Sequence, residues 1–181
     1  MWYFIALSNP GKEYENTRHN AGQMVLKKIL SLKEVSYQEV ANYTYLVKIG
    51  DQQCYFLFSN SFMNKSGDFI KKMKKIHELE PKEVIILHDD QDIPLGEVKL
   101  QYNRGSAGHN GIISIIASLQ TQDFGRMRIG IERVTGDKTV DHVLGKFTDT
   151  ELDMVDTATK VTFENIKNIL TYGKDGAISR Q

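Results

Sequence analysis

The chain has 181 residues, with 23 Lys+Arg balanced by 23 Asp+Glu for a formal net charge of zero, and it is 40% hydrophobic with 8 Phe, 8 Tyr and one Trp. One domain spanning 1–181 is the expectation, able to bury about 70% of its unfolded surface, which excludes disorder, collagen-like repeats and small disulfide scaffolds. Neutrality removes any global field steering the chain toward phosphates, so a nucleic-acid partner must be held by a local basic patch.

In chain order, residues 2–7 form a continuous aromatic and branched run that reads as a buried strand, stopped by Asn9-Pro10-Gly11. Helical spacing follows at 21–32, with Met24, Val25, Leu26, Ile29, Leu30 and Leu32 as the apolar stripe. Alternating segments at 36–49 and 53–59, joined by Gly50-Asp51, read as a hairpin. Cys54, the only cysteine, lies in the second of these and reads as strand core; no internal disulfide is possible. Residues 66–78 return to helical spacing, with Lys71, Lys72, Lys74 and Lys75 on a solvated face, and 84–87 form the next strand after Pro81. Strands at 96–102 and 126–131 flank a helix at 110–119, and a last helix spans 149–171. That helix carries Lys160, Lys167 and Lys174 seven residues apart, a stripe open to phosphate contact. A lid-like region lies near 136–150, and the tail 172–181 is expected to fray.

Strands alternating with helices predict an α/β fold, a single-domain three-layer α/β/α with a twisted mixed β-sheet flanked by helices. No basic region precedes the first apolar run, and the longest later one, 111–119, falls far short of the ~18 residues a membrane span needs. A soluble, reduced, cytoplasmic protein with no membrane role is the expectation.

Four polar clusters, at 8–22, 59–67, 88–96 and 103–111, each follow a predicted strand, and ligands of open α/β sheets bind beyond the carboxyl ends of strands. Asn9, Asn64 and Asn110 supply carboxamides, His19 and His109 imidazoles, and Asp89, Asp90 and Asp92 carboxylates. These suit a hydrolase whose nucleophile is water. Other readings stay open for each: an Asn after a strand serves as turn or cap, His19 as capping or surface residue, and the run 88–92 as metal cluster, orienting carboxylate or solvated loop. Alternation puts His88 and Asp90 on one face of a strand and Asp89 on the other. There is no HExxH, no phosphate-loop lysine beside Gly105-Ser106-Ala107-Gly108, and no GxSxG elbow.

As an ensemble these residues are recognisable. Asn9-Pro10-Gly11-Lys12-Glu13-Tyr14-Glu15-Asn16-Thr17-Arg18-His19-Asn20-Ala21-Gly22 closely resembles the N-terminal signature of bacterial-type peptidyl-tRNA hydrolases. Phe62-Met63-Asn64-Lys65-Ser66-Gly67 is similar to their second motif, 88–96 to their third, 105–111 to their fourth, and Arg126-Met127-Arg128 and Gly136-Asp137-Lys138 to later segments. The family usually carries Gly where Ser8 stands and Lys-Pro where Phe58-Ser59 stands, and its glycine loop is one residue longer.

The resemblance implies cleavage of the ester joining peptide to the 3′ ribose of tRNA, recycling tRNA from prematurely released peptidyl-tRNA. By matching position, His19 is the base that activates water and Asp89 the carboxylate that orients it. Asn9 and Asn64 hold the substrate and Asn110 positions water or steadies the oxyanion. Tyr14, Phe62 and Met63 line the pocket, and Arg128, Lys138 and Arg104 contact tRNA phosphate. No metal and no organic cofactor is implied, nor an obligate protein partner; a monomer acting on peptidyl-tRNA is expected. The alternative is a non-catalytic RNA-binding homologue.

Overall fold

The computed structural model describes residues 1–134 and 139–180. Among the described residues seven strands, β1 (Tyr3–Ala6), β2 (Val35–Ala41), β3 (Thr44–Ile49), β4 (Gln52–Phe58), β5 (Val84–Asp90), β6 (Val98–Tyr102) and β7 (Gly125–Gly130), make one sheet in the order β2-β3-β4-β1-β5-β7-β6. The central strands β4, β1, β5 and β7 run parallel, while β2, β3 and the edge strand β6 pair antiparallel. The sheet is therefore mixed, as expected.

The described residues also form the α-helices α1 (Ala21–Leu30), α2 (Ser66–His77), α3 (Asn110–Leu119), α4 (Thr139–Leu144) and α5 (Asp149–Ile178). On one face Phe4, Phe56, Leu87 and Met127 pack against Val25, Leu26 and Ile29 of α1 and Val155, Ile166 and Ile169 of α5. On the other, Ile5, Leu57 and Ile86 pack against Ile70 and Met73 of α2 and Ile112 and Ile115 of α3. Strand β1 reads as unbroken apolar sequence because it is covered on both faces.

The segment read as one strand at 36–49 is two. Its turn sits at Asn42-Tyr43, with Tyr43 at φ 60° and neither Gly nor Pro to mark it. The tail expected to fray from Tyr172 is helical to Ile178: α5 kinks at Gly173 (φ 70°) and continues to the buried Ala177. Helix α4 occupies part of the region expected to be lid-like, whereas Gly136, Asp137 and Lys138 lie outside the described residues.

Candidate active site

Three of the four polar clusters leave the carboxyl ends of the parallel strands β1, β4 and β5, as expected. The fourth does not, because β6 is antiparallel. Tyr102 pairs with Gly125, level with Ile85 rather than Asp89, so the loop after β6 starts at the far end and climbs the sheet face to reach the site at Asn110. On the way it passes over buried Arg126, whose Nη1 donates to Gly105 O at 2.9 Å. Burial, then the neighbouring Arg128 and Arg104, pushes the Arg126 pKa down to about 10.

His19 lies in the 3₁₀ turn Arg18–Asn20 ahead of α1. That turn is clamped from both sides. Asn20 Oδ1 accepts the Asn9 amide at 2.8 Å and its Nδ2 donates to the Asn9 and Tyr14 carbonyls at 3.0 Å. Arg18 donates from its amide to Gly145 O and from its guanidinium to both carboxylate oxygens of Glu151 at 2.7 Å. Glu151 in turn closes a capping box with Thr148 at the start of α5.

At the carboxyl end of β5, Asp89 turns to the face opposite His88 and Asp90, as alternation predicts. Its Oδ1 lies 2.8 Å from His19 Nδ1 and 3.0 Å from His109 Nε2. Since the carboxylate accepts, His19 donates Nδ1–H and keeps Nε2 as its basic atom. Burial works to raise the Asp89 pKa, but the charges of and hydrogen bonds from His109 and His19 outweigh it and hold the carboxyl far below its usual range. Burial likewise works to lower the His19 pKa, and the charge and hydrogen bond of Asp89 prevail, leaving it raised.

His109 caps α3, its Nδ1 accepting the Gly111 and Ile112 amides at 3.1 and 3.4 Å. Sequence reasoning offered His109 as a titratable imidazole and left it without a place. Its position one residue before an apolar periodic run was the available signal, hidden because His is not a usual N-cap. Asn20 was missed too: nothing in a single sequence distinguishes a clamp from its neighbours.

The groove above Asp89 has two lobes sharing His19, Asn110, Val140 and Val143. One, of about 300 Å³, runs toward Asp92, Ser106 and Arg133. The other, of about 460 Å³, holds Asn9, Phe62, Met63 and Asn64. Asn9 Oδ1 accepts the Met63 amide at 2.8 Å, so this carboxamide also sets the turn that carries Asn64, and its amino group remains for other partners. Asn64 and Asn110 are exposed, Met63 is buried as the wall, and Tyr14 meets Phe62 edge-to-face at 6.2 Å between ring centroids. Ser8 donates to the Ser59 carbonyl at 2.6 Å, tying the ends of β1 and β4 together beneath this lobe.

Arg128, expected at a phosphate, lies on β7 beside the carboxyl end of β5. At 5% exposure, its Nε donates to Asp90 Oδ2 and its Nη1 to Gln101 Oε1, both at 2.7 Å. A guanidinium so buried and paired ties β7 to β5 and to the edge strand β6. Arg104 is exposed, in a separate groove of about 520 Å³ with Lys99 and Gln101. Lys138 cannot be placed among the described residues.

One His/Asp group among the described residues has ligand spacing for a metal ion: His19, Asp89 and His109, with donor atoms within 4.8 Å. Its chemistry opposes that use. Because His109 Nδ1 accepts two amides, Nε2 carries the proton, and a metal there would require an imidazolate. In the run 88–92, for which a metal cluster is one reading, Asp90 is committed to Arg128 through Oδ2 and to the Asp92 amide through Oδ1.

A buried carboxylate holding an imidazole at the carboxyl end of a parallel strand, with carboxamides across the groove, is an arrangement that suits a hydrolase. Residues 3–181 match the family described as peptidyl-tRNA hydrolase, and the chain belongs to that family. A peptidyl-tRNA hydrolase of Persephonella marina is 36% identical over 177 residues, covering 97% of this chain and 94% of its own. One of Mycoplasma capricolum is 40% identical over 170 residues, covering 91% and 88%. The crystal structure of peptidyl-tRNA hydrolase from Acinetobacter baumannii superposes with a TM-score of 0.85 at 27% identity, over 99% of this chain and 93% of that one.

Proposed function

We propose that this chain hydrolyses peptidyl-tRNA by direct attack of water on the ester between the peptide and the 3′ ribose. Family membership supports the substrate. One observation carries the assignment of roles: His19 Nδ1 stands 2.8 Å from Asp89 Oδ1 at the floor of the groove that Asn9, Asn64 and Asn110 line. His19 Nε2 takes a proton from water as its oxygen attacks the ester carbonyl, and Asp89 stabilises the imidazolium so formed. The proton then passes to the departing ribose oxygen. Asn110 orients the water or donates to the developing oxyanion, a donor of this kind being worth about 3 kcal/mol. A ribose oxygen leaves more readily than an amine, so the reaction needs no covalent nucleophile.

Asn9 and Asn64 grip the first peptide bond of the substrate against Met63, Phe62 and Tyr14. Free aminoacyl-tRNA has an ammonium there, which loses those hydrogen bonds and is poorly solvated. Phosphate contacts fall to the β6 edge, where Arg104 and Lys99 share a groove and Lys174 lies over the Tyr102 ring at 4.9 Å. Helix α5 so contributes part of the basic stripe. We read the chain as one domain, a monomer working in the cytoplasm. Among the described residues no helix is long and apolar enough to cross a membrane.

The alternative of a non-catalytic RNA-binding homologue lacks support, since base, carboxylate and carboxamides all stand in one groove. Incubation with N-acetyl-aminoacyl-tRNA and with the unblocked form decides between them. Release of the acetylated amino acid with sparing of the free one is expected. Binding of both without release would establish the RNA-binding alternative.

A further inference from the structure

We propose that His109 is a positioning residue that tunes the catalytic base through the oxygen it shares with it. Asp89 Oδ1 takes hydrogen bonds from His19 Nδ1 at 2.8 Å and from His109 Nε2 at 3.0 Å. The direction of the second bond is not free to reverse. The Gly111 and Ile112 amides both point at His109 Nδ1, which must accept them, so the ring's one proton in its neutral form is on Nε2 and is donated to Asp89.

The ring is held from behind as well. His88 lies edge-on to it at 4.7 Å between centroids, and His19 tilts against it on the other side at 5.1 Å. His88 is itself pinned by its Nδ1 bond to the Asp89 carbonyl at 2.7 Å, and burial, then the neighbouring His109, keeps its pKa well below the usual histidine value. A neutral imidazole wall thus backs the one that shares Asp89 with the base.

Two consequences follow from this geometry. A carboxylate that accepts a second N–H holds its charge more comfortably and draws less strongly on the His19 imidazolium, so the base stays able to return its proton to the leaving group. The same imidazole caps α3, whose first residue is Asn110, and therefore sets the Asn110 carboxamide relative to the base. The other charged groups lining this lobe are already engaged: Asp90 with Arg128, and Asp92 with Arg133. Helix α4 presents Val140 and Val143 to it, while its His142 bonds the Glu132 carbonyl at 2.8 Å.

The inference rests on His19 being the base, and two substitutions separate its parts. His109→Asn keeps a side-chain oxygen able to cap α3 but is too short to reach Asp89. His109→Gln reaches Asp89 with an N–H donor and caps poorly. With N-acetyl-aminoacyl-tRNA as substrate, the expected result for His109→Asn is an acid limb of the kcat/KM profile moved up by about half a unit to one unit. His109→Gln returns the limb to its wild-type position despite a lower Tm. A limb unmoved in His109→Asn overturns the proposal and leaves His109 only a cap. Nitrogen-15 NMR of the wild-type ring provides a readout independent of turnover: a pyridine-like Nδ1 and pyrrole-like Nε2 are expected, and the reverse tautomer overturns the proposal. If the wild-type protein released nothing from N-acetyl-aminoacyl-tRNA, the functional reading would fall while the tautomer measurement still decided the geometry.

Discussion

Asp89 is the residue on which the site turns, because one buried carboxylate decides the protonation of the imidazole beside it. Asp89→Asn keeps the shape and removes the charge, so burial alone then acts on His19. Its pKa moves from above the ordinary 6.5 to below it. The acid limb of kcat/KM should shift down in Asp89→Asn, opposite to the shift expected for His109→Asn, while turnover drops by about 10⁴-fold if the wrong tautomer results. A limb that stays in place would show that Asp89 does not control the base. Stability follows the same signs. The raised His19 pKa contributes fully below the ordinary histidine value and is lost as pH rises through the raised one; the lowered Asp89 pKa contributes fully above the ordinary carboxyl value and is lost as pH falls below that value through the lowered one. At this scale the sequence was informative about residue types and poor about their partners. His19 and Asp89 stand out by motif, but that Asp89 serves two imidazoles, or that Arg128 is spent on Asp90, depends on neighbours 20 to 70 positions away.

Elements deliver these side chains through close approaches that only small residues permit. A Cβ on Gly22 would lie 2.4 Å from the Leu87 carbonyl oxygen, so α1 approaches β5 backbone to backbone, next to the strand residues that lead to Asp89. Gly22→Ala should therefore cost about 1–3 kcal/mol in denaturant unfolding and lower kcat, because the helix that follows His19 has to back away from the strand that bears Asp89. Unchanged stability and turnover would mean that α1 is not so tightly seated. Helices with strong 3.6-residue periodicity, α1, α2 and α3, were legible to within two residues at their ends. The β2–β3 turn was not, since Tyr43 takes a left-handed conformation that its residue type disfavours. Nor was the direction of β6, whose partner lies beyond α3 in the chain; the loop carrying His109 reaches the site by a route that strand order alone reveals.

The whole molecule is neutral, and Arg128, which the resemblance offers to RNA, is buried and paired with Asp90. The phosphate contacts of the proposed function fall to Arg104, Lys99 and Lys174 at the β6 edge, Lys174 also lying 3.9 Å from Asp123. Three contacts predict a decrease in log K of about 2 to 3 per decade of salt, with Arg104→Ala flattening the slope by about 0.7–0.9. A slope of about 8 or an unaltered one in Arg104→Ala would place the RNA elsewhere. The layered α/β architecture could be anticipated from alternating strands and helices, and the basic surface could not, because charge counts carry no information on which cations fold against acids. The central claim is that His19 activates the water that cleaves the peptidyl-tRNA ester. Single-turnover cleavage of N-acetyl-aminoacyl-tRNA by His19→Ala tests it most directly: the rate should fall by about 10²–10⁴-fold with tRNA binding retained. A rate near that of the wild-type protein would contradict it.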